Sequence, residues 1–118
     1  MRGFLLDEHV LVALQAAILR LEPGIQVLRV GGPSAPPLST SDPELLEWIE
    51  GQDLMLVTNN RSTMPVHLAA HLGKGRHVPG IVQLPRHIHL PSLVEDLILI
   101  WGAGFSEELR DQILYLPL

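Results

Sequence analysis

The chain contains no cysteine. Disulfides, thiolate catalysis and cysteine zinc sites are therefore excluded, and the absence fits a reducing, cytoplasmic setting. Aromatic residues make up only 4%, so a core has to be assembled from Leu, Val, Ile and Ala. Positive charge is scarce: 8 Lys and Arg stand against 13 Asp and Glu, a net charge of −5. That balance argues against a protein that coats duplex nucleic acid with a basic face. It is compatible with an enzyme that holds a cation and touches nucleic acid briefly. Long apolar runs are missing as well. The longest, Leu97 to Phe105, has nine residues and includes two glycines, whereas roughly 20 are needed to span a bilayer. The apolar stretch behind Arg2 is broken at Asp7, Glu8 and His9, too early for the ~7–15-residue core of a signal peptide. Neither a membrane segment nor a leader is expected.

What is present suits one domain. The 118 residues are 47% hydrophobic and 18% charged, the balance of a folded chain and not of a disordered one. Gly3 to Leu6 is an apolar run of the kind buried on both faces of a sheet. Val10, Leu11, Leu14, Ala17, Ile18 and Leu21 recur at helical spacing until Pro23-Gly24, and Ile25 to Val30 reads as a second strand. A Gly-, Pro- and Ser-rich loop follows to Ser41. Asp42-Pro43-Glu44 then starts a helix, with Asp42 as N-cap and Pro43 in the first position. Leu54 to Thr58 is a third strand, His67 to Leu72 a helix, and Gly80 to Leu84 a fourth strand. Pro91 opens an apolar helix, Ser106 caps a short one, and Ile113 to Leu116 reads as an edge strand. Strands alternating with helices predict an α/β domain with a mainly parallel sheet of four to five strands, the first of them central. In such sheets ligands lie at the carboxyl ends of the strands. Attention therefore falls on Asp7-Glu8-His9, on Thr58 to Arg61 and on Asp42 to Glu44.

Asp7, Glu8 and Glu44 could converge on Mg²⁺ or Mn²⁺, since hard cations prefer oxygen ligands, and such an ion activates water against a phosphodiester. The plainer reading makes Glu44 a first-turn acid favoured by the helix dipole and Asp42 a cap. Asp7 resists that reading, because a carboxylate beside a buried strand is costly unless it is paired or used. His67 and His71 share a helix face at zinc-binding spacing, but Leu68 stands where a protease would carry its glutamate, and no third ligand is evident. His87 and His89 read as loop residues. Arg61, Lys74, Arg76 and Arg86 could make a modest basic rim. Phosphate-loop, dinucleotide and nucleophile-elbow patterns are absent.

Phe4-Leu5-Leu6-Asp7-Glu8-His9-Val10 is similar to the L-L-D-E-N-V opening of small bacterial PIN-like proteins, a family related to the VapC-type toxin nucleases. Asp42-Pro43-Glu44-Leu45-Leu46-Glu47-Trp48 resembles that family's second block. Leu56 to Pro65 resembles its third, V-T-x-D-R-x-T-M-P, and Pro79-Gly80-Ile81-Val82 and Tyr115-Leu116-Pro117-Leu118 also fit. The resemblance spans nearly the whole chain. It implies a single three-layer α/β/α PIN-like domain over residues 1–118, an acidic site binding Mg²⁺ or Mn²⁺, and cleavage of RNA. Carried over by position, Asp7 matches the first acid, Glu44 the second, and Asn60 stands where the pattern has Asp. Asparagine offers a neutral oxygen, so the charge that holds a divalent cation is reduced. Two functions are therefore expected in competition. One is a metal-dependent ribonuclease, such as the toxin of a toxin–antitoxin pair with an antitoxin protein as partner. The other is a non-catalytic PIN-like module that binds protein. The apolar stretch around Trp101 and Phe105 and the run Leu114 to Leu118 predict a homodimer.

Overall fold

The computed structural model describes residues 1–103 and 106–118. In chain order the elements are β1 (Gly3–Leu6), α1 (Ala13–Leu21), β2 (Gln26–Arg29), α2 (Asp42–Gln52), β3 (Leu54–Thr58), α3 (Met64–Gly73), β4 (Ile81–Gln83), α4 (Leu90–Gly102), α5 (Ser106–Leu109) and β5 (Ile113–Tyr115). The five strands form one sheet in the order β2-β1-β3-β4-β5, and every pair is parallel. The expected α/β class is therefore correct. β1 is an interior strand between β2 and β3, while β3 holds the middle place. Both are buried from end to end, as their unbroken apolar runs require.

Alternation of side chains along each strand builds two cores. On one face, Phe4, Leu6, Met55, Val57 and Val82 pack with Leu14 and Ile18 of α1 and with Leu93, Leu97 and Ile100 of α4. On the other, Leu5, Leu56 and Ile81 pack with Leu45, Leu46 and Ile49 of α2 and with Met64 and Leu68 of α3. This is a three-layer α/β/α arrangement. The step from β4 to β5 runs along the sheet in the same direction as the step from β3 to β4, yet its helix α4 covers the opposite face. Its hand is thus opposite to that of the other crossovers, against the usual preference. The reason is apolar coverage: α1 alone would leave Met55, Val57, Val82 and Leu84 without a partner layer. No helix among the described residues is long and apolar enough to cross a membrane.

Three local readings need correction. α1 begins at Ala13, because the chain turns first, with the Val10 amide donating to the Asp7 carbonyl at 3.0 Å, and Val10 reaches the core from that turn. Ser41, not Asp42, is the N-cap of α2; its hydroxyl accepts from the Glu44 amide at 3.4 Å and Asp42 is the first helical residue. His89 caps α4 through Ser92, and the helix begins at Leu90, one residue ahead of the expected proline opening. Phe105 and the side chain of Ser106 lie outside the described residues.

Gly3 is the tightest backbone position in the sheet. Its φ is +156°, and a Cβ there would lie 1.8 Å from the carbonyl oxygen of Gln26 on β2. Relief would require the β1–β2 pairing to open. Gly3→Ala should lower stability by about 3 kcal/mol or more, read as a fall in the urea midpoint; an unchanged midpoint would refute this account of the strand pair.

Candidate active site

The strand order places the topological switch between β1 and β3. The chain leaves β1 toward one edge through β2 and returns on the other side through β3. A crevice therefore opens at the carboxyl ends of these two strands. Asp7 and Thr58 are the first polar residues beyond the apolar rows of Leu5 and Leu56, and both point to the α2–α3 face by the same alternation. Asp42 approaches from the first turn of α2, and Asn60 from the turn after β3. Asp7, Glu8, His9, Ser41, Asp42 and Asn60 are among the residues lining a cleft of about 320 Å³ there.

The side chains form a connected chain of hydrogen bonds. Asp7 is 7% exposed. One of its carboxylate oxygens accepts the Glu8 amide at 2.7 Å, and the other accepts the Thr58 hydroxyl at 3.2 Å. The Thr58 oxygen in turn accepts the Asn60 amide at 3.1 Å. The Asn60 side chain then bridges two elements. Its Oδ1 accepts the Thr63 amide at 3.2 Å, while its Nδ2 donates to Asp42 Oδ2 at 2.8 Å and to Thr63 Oγ1 at 2.7 Å. A backbone N–H can only donate, so the oxygen must face Thr63 and the nitrogen must face Asp42. His67 Nε2 stands 3.7 Å from the same Asp42 oxygen.

Asp7 is raised above the ordinary carboxyl range. Burial is the main cause, reinforced by the negative charge of Asp42 and opposed by the Glu8 and Thr58 hydrogen bonds and by His9. The second acid expected in the cleft was Glu44. It is exposed and does not line the cleft; Asp42, two residues earlier, does. The reason is the cap. With Ser41 rather than Asp42 at the N-cap, Asp42 moves onto the helix and faces the sheet edge. The Ser-x-x-Glu spacing of Ser41 and Glu44 carried that signal in the sequence.

The histidines do not assemble a zinc site. His67 faces Asp42 at the start of α2, whereas His71 is buried with its Nε2 2.9 Å from Glu50 Oε1 and 3.1 Å from the His77 carbonyl oxygen, near the end of α2. His77 Nδ1 meets Asp111 Oδ2 at 2.7 Å beyond it. These pairs pin the loop between α3 and β4 at the amino edge of the sheet. Glu50 is held below its usual range by the His77 amide first and by His71 and Arg76 as well, although partial desolvation works against them.

Among the described residues no group of three or more His, Asp or Glu side chains is gathered to hold a metal ion. Asn60 presents N–H groups to Asp42, not a lone pair to a shared ion, and its own oxygen is committed to Thr63. In this orientation Asn60 adds no free oxygen lone pair to the carboxylates of Asp7 and Asp42. No protein-family model matches the sequence, and no curated protein or solved structure proves similar to it. The fold is that of a doubly wound α/β domain with a polar crevice at its switch point.

The raised Asp7 has a stability consequence. A carboxyl raised in the folded state binds its proton more tightly folded than unfolded. It therefore favours folding at low pH, and that advantage is lost as pH rises through the folded-state value. Asp7→Asn cannot ionise. It should be more stable than the parent at neutral pH, with the gap closing as the pH falls through the carboxyl range. Thermal melts across pH test this, and a less stable Asp7→Asn at neutral pH would contradict it.

Proposed function

We propose that the chain is a PIN-like domain that works by binding and not by hydrolysis, with a protein as its partner. The observation that carries this is the 2.8 Å contact from the Asn60 amide to Asp42. An aspartate at this position would set two carboxylates against each other and need a cation between them. The asparagine supplies a hydrogen-bond donor instead and satisfies Asp42 from within the chain. The cleft is then stable without Mg²⁺ or Mn²⁺.

The second reading is a Mg²⁺- or Mn²⁺-dependent ribonuclease, the toxin of a toxin–antitoxin pair acting in the cytoplasm. It is favoured by the convergence of Asp7 and Asp42 on one cleft and by the raised Asp7, since carboxyls so perturbed cluster at reactive sites.

One pair of proteins separates the readings. Asn60→Asp should bind Mn²⁺ at least roughly tenfold more tightly than the parent, about 1.4 kcal/mol, by titration calorimetry. The parent should leave RNA intact in Mn²⁺. Cleavage by the parent that disappears in Asp7→Ala would establish the ribonuclease instead.

Self-association belongs to the same reading. Leu99, Tyr115 and Leu118 are exposed and Trp101 is half-buried, an apolar surface that a second copy would cover. Sedimentation should report a dimer at tens of micromolar; a monomer there would remove this element.

A further inference from the structure

Asn59 and Asn60 form a divide between two depressions at the carboxyl edge. On one side is the acidic cleft. On the other is a groove of about 410 Å³ whose lining includes Arg61, Ser62 and Arg86 with the two asparagines, and no carboxylate. In a chain with 8 basic and 13 acidic side chains, two arginines lining one carboxylate-free groove stand out. Arg61 comes from the turn after β3 and Arg86 from the loop after β4. Arg61 Nη2 donates to the Leu84 carbonyl at 3.1 Å, which fixes its fork against the end of β4 and leaves its other N–H groups unengaged by that bond. Arg86 is exposed, and neither guanidinium is ion-paired among the described residues.

We propose that this groove is a binding site for a phosphoryl oxyanion, clamped by Arg61 and Arg86 from adjacent loops. Planar guanidinium forks match phosphate oxygens in pairs, and two of them on neighbouring loops of one sheet edge can engage one anion together. Asn59 and Ser62 also line the groove, but the Asn59 Nδ2 donates to the His9 carbonyl at 3.2 Å and the Ser62 hydroxyl to Asn60 Oδ1 at 3.4 Å, so recognition rests on the two arginines. The adjoining acidic cleft repels the same anion, so the ligand is confined to the arginine side of the divide. The site is independent of the metal question, because none of its charged groups belongs to the Asp7–Thr58–Asn60–Asp42 chain.

The test uses the full chain in EDTA, so that its outcome does not depend on Mn²⁺. Three probes are offered: inorganic phosphate, adenosine monophosphate, and a fluorescent single-stranded RNA ten nucleotides long read by anisotropy. Arg86→Ala removes an exposed side chain without an ion-pair partner, and Arg61→Lys keeps the charge while losing the fork. Each should weaken binding roughly tenfold, and for the RNA Arg86→Ala should also reduce the slope of log K against log salt by about 0.7. Tight RNA binding that free phosphate displaces only weakly assigns the oxyanion to a nucleic-acid backbone. Equal competition by phosphate or the nucleotide assigns it to a free phosphoryl compound. Both support the site. Variants that bind all three probes as the parent does, with unchanged circular dichroism, would overturn it, as would failure of every probe to bind at millimolar concentration.

Discussion

The carboxyl edge of this sheet depends on how one side-chain amide is turned. The Thr63 N–H fixes the oxygen of Asn60, and the nitrogen is thereby pointed at Asp42. From that single orientation the rest of the cleft follows. Thr58 can accept the Asn60 backbone amide and still donate to Asp7. Asp42 has a neutral partner, and the start of α2 is tied to the turn ahead of α3. With an amide at this position Asp42 is satisfied from within the chain.

The fold was legible because its strands are short, unbroken apolar runs and its helices have strong stops. Leu54 to Thr58 and its burial could be read directly from the residues. What the residues did not reveal was long-range. Nothing in the sequence of α4 says that it crosses on the α1 side, because that choice is made by apolar area left bare on β3 and β4. The site was half legible. Asp7 and Asn60 follow strands and were placed by the parallel-sheet rule. The acid from α2 was misjudged by two positions, since Asp-Pro-Glu looks like a cap followed by a first turn. The Ser41 hydroxyl contact, signalled by the Ser-x-x-Glu spacing, starts the helix one residue earlier, and Asp42 lines the crevice. Thr58, read as the end of a strand, is the relay between both carboxylates' neighbours, a role that exists only in three dimensions.

The edge also shows a trade between stability and site. Asp7 is nearly buried, beside another acid, and raised by both effects. The Glu8 amide and the Thr58 hydroxyl satisfy the carboxyl in place, while the opposite edge is secured by carboxylates held low by backbone and histidine partners, Glu50 and Asp111. The two edges thus divide the work: the amino edge anchors the loops, and the carboxyl edge holds a cleft of one sign beside a groove of the other.

The central claim is that the Asn60 amide occupies the role of a cation toward Asp42. It is tested most directly by adding substoichiometric paramagnetic Mn²⁺ to ¹⁵N-labelled protein and following the backbone amide signals. The account predicts no selective broadening of Glu8, Asp42, Thr58 and Asn60 relative to the remaining surface amides. Broadening centred on those residues at low Mn²⁺ would contradict it.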